Sequence, residues 1–261
     1  MQGHATYKDI GVKLEGHVGE IEIRRPPLNF FDNALINQIA DALEAFDRDV
    51  KCRAVVLAAQ GKAFCAGADF ANRPDTGAGG ESGKHLYKEA VRIFRSKKPI
   101  VGAIQGAAIG GGLGLALTPD FRVTCPEARF SANFNRLGFH PGFGLTVTLP
   151  RLIGVQKAQL LFFTGRRIPG DEAVKMGLAD VLVDSVEAVR KGAWDLATEI
   201  AQSGPLSVIS TRETVRRGLA DAIEQATERE LMEQDWQRKT ADFKEGVKAT
   251  AERRLPNFQS K

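Results

Sequence analysis

Two short glycine-bearing segments, GKAFCAGADF at 61–70 and QGAAIGGGLG at 105–114, hold the residues whose types and spacing could do chemistry. Each leaves an apolar run that reads as a strand. A Gly-rich turn in such a place can cradle a pyrophosphate on backbone N–H groups, as dinucleotide sites do. Here Gly106, Gly110, Gly111, Gly112 and Gly114 do not keep that motif's spacing, the segment lies far from the N-terminus, and no acidic residue closes a later strand. Close packing through small residues is a second reading. It suits some of these glycines and leaves the triple glycine unexplained. Cys65 invites a nucleophile reading, but free cysteines commonly sit as small buried apolar groups.

The elements that must position these segments follow a strand-then-helix rhythm. Alternation of Val18, Ile21 and Ile23 predicts a strand ending at Pro26-Pro27. Asn33 is the expected N-cap of a helix whose Leu35, Ile39, Leu43 and Phe46 share one stripe. The run 54–59 and the segment Ile100 to Ile104 read as buried strands, with a Gly/Ser/Asp-rich loop at 71–84 and a helix from Leu86 to Phe94 between them. A helix is expected through Leu113 to Leu117 and a strand over Phe121 to Cys125. Beyond Leu149 the pattern turns helical: Gly154 to Phe163, then a short helix from Pro169-Gly170-Asp171 to Gly177, then a strand at Ala179 to Val183. From Val186 onward only helices are expected. Leu219, Ile223 and Ala226 share one face and Phe243, Val247 and Ala251 another.

Composition excludes several classes. A chain of 261 residues with 43% hydrophobic and 26% charged residues is neither disordered nor collagen-like nor a disulfide mini-scaffold. Its length suits one α/β core with an appendage. Net charge +4 without a dense Lys/Arg run argues against nucleic acid as a partner. Cys52, Cys65 and Cys125 form no CxxC pair and no zinc-type cluster, so no metal and a reducing compartment are expected. From Pro99 to Pro119 there is no charge, and six of the 27 glycines fall there. That length could span a bilayer, but Gly and Ala outnumber Leu and Ile, so the hydrophobicity is weak and no membrane partner is expected. The N-terminus lacks an apolar signal-peptide core, which predicts a cytoplasmic protein.

The chain resembles the crotonase (enoyl-CoA hydratase/isomerase) superfamily through five pieces in family order: RRPPLNFFDNALINQIADALEAF, VVLAAQGKAFCAGADF, KKPIVGAIQGAAIGGGLGLALTPDFRV, FTGRRIPGDEAVKMGLADVLV and FKEGVKATAERRLPNF. The resemblance implies an α/β fold, a crotonase-like ββα spiral core over 1–200 that binds acyl-CoA, with a C-terminal helical oligomerisation region over 201–261. It implies trimers or dimers of trimers. The substrates would be acyl-CoA thioesters, with no cofactor beyond the coenzyme A that the substrate carries. By match to the family, the N–H groups of Ala68 and Gly111 would hold the negative charge that develops on a thioester carbonyl oxygen, a device in which one donor is worth about 2.7–4 kcal/mol. Main-chain contacts around Leu28 and Ala66 would bind coenzyme A, and Arg253 its phosphate.

The departures from the family pattern matter as much. Where family hydratases keep two glutamates that hold the water, this chain has Gly114 and Phe134, and the third acidic position of some relatives falls on Gly142. None of these can carry a proton. His140, in the same loop by match, is the expected replacement because histidine titrates near neutrality. Asp69, the flanking Asn133 and Asn135, and His85 and Glu81 are further candidates. These residues imply an enoyl-CoA hydratase/isomerase-like lyase or isomerase whose reaction is open: isomerase, decarboxylase, dehalogenase or hydrolase using His140. A CoA-binding subunit without turnover is the rival from another class.

Overall fold

The computed structural model describes residues 7–69 and 85–261. The loop read at 71–84, with Glu81, lies outside them. Strands β1 (Ile10–Glu15), β2 (Val18–Ile23), β3 (Ala54–Ala59), β4 (Ile100–Ile104), β6 (Phe121–Thr124) and β9 (Val181–Leu182) form one sheet in the order β1-β2-β3-β4-β6-β9. Only β1 and β2 pair antiparallel; the later neighbours are parallel. A smaller sheet joins β5 (Ala107–Ile109), β7 (Arg129–Ser131) and β8 (Ile168–Pro169).

The parallel strands are covered on both faces, as their unbroken apolar runs demand. AVVLAA of β3 is buried throughout. On one side lie α1 (Asn33–Arg48) and α2 (Leu86–Phe94), packed on each other. On the other lies α7 (Val186–Ala201), whose buried Val189, Ala193, Ala197 and Ala201 recur every fourth residue and let its axis approach β3 and β4 closely. Strand β2 buries two acids against this helix: Arg190 reaches Glu20 at 3.3 Å and Glu22 at 2.5 Å.

The remaining helices are α3 (Gly111–Ala116), α4 (Leu145–Ile153), α5 (Val155–Thr164), α6 (Gly170–Met176), α8 (Pro205–Val215), α9 (Leu219–Gln237) and α10 (Ala241–Ala251). Helix α8 buries none of its residues. It is tied to the core by Asp120, which accepts from Arg212 at 2.8 Å and Arg216 at 2.6 Å. Burial opposes ionisation of Asp120, but the two guanidiniums outweigh it and hold the carboxyl below its usual range.

Several expectations are corrected. The N-cap of α1 is Asp32, whose side chain accepts from the Leu35 N–H at 2.9 Å; Asn33 is the first helical residue. Strands β1, β5 and β7 are short or half-exposed and were not foreseen. Helix α4 begins at Leu145, ahead of Pro150, because a carboxylate from a distant helix caps it: Glu230 accepts from the N–H of Gly144 at 2.8 Å and of Thr146 at 3.1 Å. The inward face of α9 is Ile223, Thr227, Glu230 and Gln234, not an apolar stripe through Ala226. The uncharged stretch Pro99 to Pro119 divides into β4, β5 and α3. Among the described residues no helix is long and apolar enough to cross a membrane.

Candidate active site

The two glycine segments lie side by side. Beyond β3 the chain forms a parallel bridge from Cys65 to Ala108. The Cys65 N–H donates to the Ala107 carbonyl at 2.9 Å, and the Ile109 N–H donates back to the Cys65 carbonyl at 3.1 Å. This close approach explains the triple glycine. A Cβ on Gly112 would stand 2.0 Å from the Cys65 oxygen, and one on Gly111 would stand 2.3 Å from the Phe31 ring. Gly110 turns the chain into α3 with φ +57, a left-handed conformation.

The N–H of Ala68 leaves the first segment and that of Gly111 opens α3. Both residues line one cavity of about 260 Å³. Neither N–H has an acceptor among the described residues. Two backbone donors without an acceptor among the described residues, both in the lining of one mostly apolar cavity, could meet a developing oxyanion.

The wall of this cavity is aromatic. Phe30, Phe31, Tyr87, Phe134 and Phe139 contribute, and Val247, Thr250 and Ala251 of α10 close one side. Phe134 packs on Phe139 with centroids 5.3 Å apart, and Phe139 on Phe243 at 5.2 Å. Behind the wall sits Phe143, 5.6 Å from Phe31 and 5.9 Å from Tyr87. Its ring occupies the space beside Gly114, where a Cβ would meet Phe143 Cβ at 2.7 Å. At Gly142 a Cβ would stand 2.4 Å from the Tyr87 ring. A carboxylate at position 114 or 142 therefore has no room as the chain stands.

The other sequence-predicted residues fall in different places. Leu28 and Ala66 come together: the Ala66 N–H donates to the Leu28 carbonyl at 2.9 Å. Ala66 lines the first cavity, and Leu28 a second of about 300 Å³ beside Lys8, Asp9 and Arg25, which shares Phe30, Phe31 and Asp69 with the first. Because the Ala66 N–H is engaged, only its carbonyl remains to meet a ligand. Asp69 and Asn133 line the first cavity. Arg253 does not; it lies exposed past the end of α10 with φ +55.

The structure also separates His140 from the paired N–H groups. It is outside the cavity lining, and its Nδ1 lies 2.7 Å from the Pro141 carbonyl. Its own backbone is clamped by α9, its N–H donating to Gln237 at 2.6 Å and its carbonyl accepting from Gln234 at 2.8 Å. His85 caps α2 by accepting the Tyr87 N–H at 3.1 Å, and burial pushes its imidazole down to about 4. Cys65 is wholly buried and burial pushes its thiol up to about 12, the opposite of the lowered value that marks an activated nucleophile.

Of the lining residues that the sequence analysis did not single out, two are titratable, Tyr87 and Arg167. Burial raises the Tyr87 phenol above the ordinary range, so it stays protonated, and its oxygen accepts from the Gln234 amide at 3.5 Å. Arg167 stands in the TGRR run quoted above, and that piece alone could have flagged it. Among the described lining residues the titratable side chains are Asp69, Tyr87 and Arg167.

Comparisons with known proteins give the class of this fold. The family model described as enoyl-CoA hydratase/isomerase matches residues 13–261, so the chain belongs to that family. It is 30% identical over 257 residues to a probable enoyl-CoA hydratase of Bacillus subtilis, covering 96% of this chain and 98% of that one. It is 32% identical to the crotonyl-CoA hydratase of Syntrophomonas wolfei, with 98% and 100% covered. The crystal structure of an enoyl-CoA hydratase/isomerase from Pseudoalteromonas atlantica superposes with a TM-score of 0.86 at 31% identity, covering 97% of this chain and all of that one.

Proposed function

We propose that this protein is an enzyme acting on acyl-CoA thioesters, as a lyase or isomerase, and that it stabilises the thioester enolate on the N–H groups of Ala68 and Gly111. The observation that carries this reading is the pair of unspent N–H groups at one apolar cavity. With the thioester oxygen between them, charge that leaves the α-carbon is met by two fixed donors and the positive end of α3, at no cost of reorganisation. Coenzyme A enters past Leu28 and Ala66, where Lys8 and Arg167 supply positive charge, while Arg25 is already paired with Asp9 and Asp32 at 2.8 Å each. No further cofactor is proposed.

The reaction is one that needs no carboxylate-held water. Phe134 lines the cavity where a glutamate would stand, and Phe143 fills the room beside Gly114. Loss of CO2 from an α-carboxyl suits such a site, because it needs enolate stabilisation but no base, and the enolate then takes its proton from solvent, directly or through Asp69. Migration of a double bond needs in addition a group that takes one proton from the acyl chain and returns it, and Asp69 is the lining carboxylate for that shuttle. His140 is replaced in this role because it lies off the cavity. A binding subunit without turnover remains the second reading, supported by the missing carboxylates at Gly114 and Phe134.

The proposal extends to assembly and location. Exposed Leu206 and Val215 on α8 and Met232 and Trp236 on α9 give apolar surface for a trimer or a dimer of trimers built on the helical region 201–261, with Val155, Leu160 and Phe163 of α5 exposed outside it. Three buried free cysteines suit a reducing cytoplasm. The deciding experiment incubates the protein with enoyl-, malonyl-, halo- and oxoacyl-CoA esters and follows products by mass spectrometry. Turnover of a malonyl- or β,γ-enoyl-CoA with slow hydration of crotonyl-CoA is expected. Crotonyl-CoA hydration at a typical kcat of about 10 s⁻¹ would overturn the water-free reading. Stabilisation by CoA esters without any turnover would favour the binding subunit.

A further inference from the structure

Phe143 has φ +64 and the next residue, Gly144, has φ +71. Glycine adopts this left-handed backbone freely, whereas a bulky aromatic residue there is a genuine outlier. Such strain persists only where the surroundings over-determine it, and it marks functional positions. Here the surroundings are one face of α9. Glu230 accepts from the N–H of Gly144 at 2.8 Å, and from the N–H and hydroxyl of Thr146 at 3.1 and 2.6 Å. One turn on, Gln234 donates to the His140 carbonyl at 2.8 Å, and Gln237 accepts from the His140 N–H at 2.6 Å. Residues 230, 234 and 237 share one helix face by spacing, so the three side chains grip the segment 140–146 from a single rigid support.

The gripped segment delivers one side chain. The Phe143 ring is wedged between Gly114 and the backs of Phe31 and Tyr87, which themselves face the acyl cavity. Without that ring, Phe31 and Tyr87 lose their backing and can fold away from the cavity. We propose that Phe143 is a positioning residue that sets the depth of the acyl cavity, and hence the size of acyl group accepted, and that Glu230 and Gln234 of α9 hold it in place. This inference rests on the reading of the cavity as the acyl-CoA site. It makes α9 part of the specificity apparatus although none of its residues lines the cavity.

The test uses binding rather than turnover, because the reacting acyl group is not needed. Dissociation constants of acetyl-, butyryl- and octanoyl-CoA are measured by calorimetry for the wild-type protein and for Phe143→Ala, Phe143→Leu, Glu230→Ala and Glu230→Gln. The wild type is expected to favour the short esters. Phe143→Ala should shift the octanoyl-to-acetyl preference by about tenfold or more toward octanoyl, the scale of added room in an apolar pocket. Glu230→Ala should shift it in the same direction. Glu230→Gln, which keeps an acceptor oxygen, should restore most of the wild-type preference. A merely structural role would weaken all three esters alike and leave their ratio unmoved. Phe143→Leu keeps a buried apolar group, should shift the ratio less than Phe143→Ala, and serves if the alanine variant does not fold. An unchanged ratio in the Phe143 variants that bind CoA esters overturns the inference and leaves the enolate reading standing. Failure of the wild type to bind any CoA ester overturns both.

Discussion

The two halves of the cavity are built from different materials. The segments 65–68 and 108–112 contribute backbone: carbonyls and N–H groups exchanged between neighbours, with glycine wherever a Cβ would collide. The opposite wall contributes side chains, Tyr87, Phe134 and Phe139 with Val247, Thr250 and Ala251 of α10, and α9 stands behind it through Glu230 and Gln234. On the proposed reading the backbone half stabilises charge whatever the acyl group is, and the side-chain half decides what enters and whether water can be held. A family likeness at the level of the fold therefore speaks for the first half far more than for the second.

Gly112→Ala attacks the backbone half and should have the largest effect. Its methyl would lie 2.0 Å from the Cys65 oxygen, forcing the two segments apart and misaiming both donors. Losing one such donor costs about 10²–10³ in kcat, and a drop of that size in CoA-ester turnover is the expected outcome. Retained turnover in a folded Gly112→Ala protein would separate the paired segments from catalysis.

Asp120→Asn tests a region outside the comparison. Removing one partner from a buried ion pair typically costs about 3–5 kcal/mol, and here two guanidiniums lose their carboxylate. Denaturant unfolding should show that loss while the ratio of affinities for short and long acyl-CoA stays fixed. The pH dependence follows from the lowered Asp120 carboxyl. Its contribution is fully present above the ordinary aspartate range, near about pH 4, and is lost as pH falls through the depressed folded value. Asp120→Asn should flatten that acid limb.

Gly114→Glu probes the side-chain half from within. Alone it overpacks against Phe143 and should destabilise by about 1–3 kcal/mol. Combined with Phe143→Ala it should cost less than the two separate losses added, with a coupling of about 0.5–3 kcal/mol measurable by a double-mutant cycle. Adding Phe134→Glu should then raise crotonyl-CoA hydration above that of the parent. Additive losses would mean that Phe143 is not what excludes a carboxylate from this place.

His140→Ala should have the smallest effect. A true acid or base in this position would be worth about 10²–10⁴ in rate. With the ring outside the lining and 2.7 Å from the Pro141 carbonyl, its removal is expected to fall well short of that in a kcat comparison. A loss in the full range would return His140 to the mechanism.

The same division decides what could be read without coordinates. The backbone half was legible because a glycine forced by close approach leaves its mark in the sequence, and Gly110 to Gly112 mark the turn where two segments meet. Strands β3 and β4 were legible as unbroken apolar runs between polar bounds. The side-chain half was not, because its supports are long-range. Glu230 and Gln234 looked like solvated helix polar groups, yet they are buried against a loop some 90 positions earlier. Nothing local in α9 shows that partner. Asn33 and Asp32 compete for one cap within a single residue, a choice that only the Asp32 contact to Leu35 resolves. Arg253 lies past the end of α10 and outside the cavity lining, and its role toward a phosphate rests on the family match alone.

The triple glycine has one more consequence. Substituting a side chain elsewhere in the cavity cannot delete a donor that belongs to the main chain, so the N–H groups of Ala68 and Gly111 survive most single replacements around them. Variation is thereby channelled toward the aromatic side, where each exchange alters the guest and leaves the charge-bearing frame in place. Such a frame tolerates trial and error. A laboratory seeking a new reaction from this scaffold would do best to randomise Phe134, Phe139 and Phe143 and leave the glycines alone.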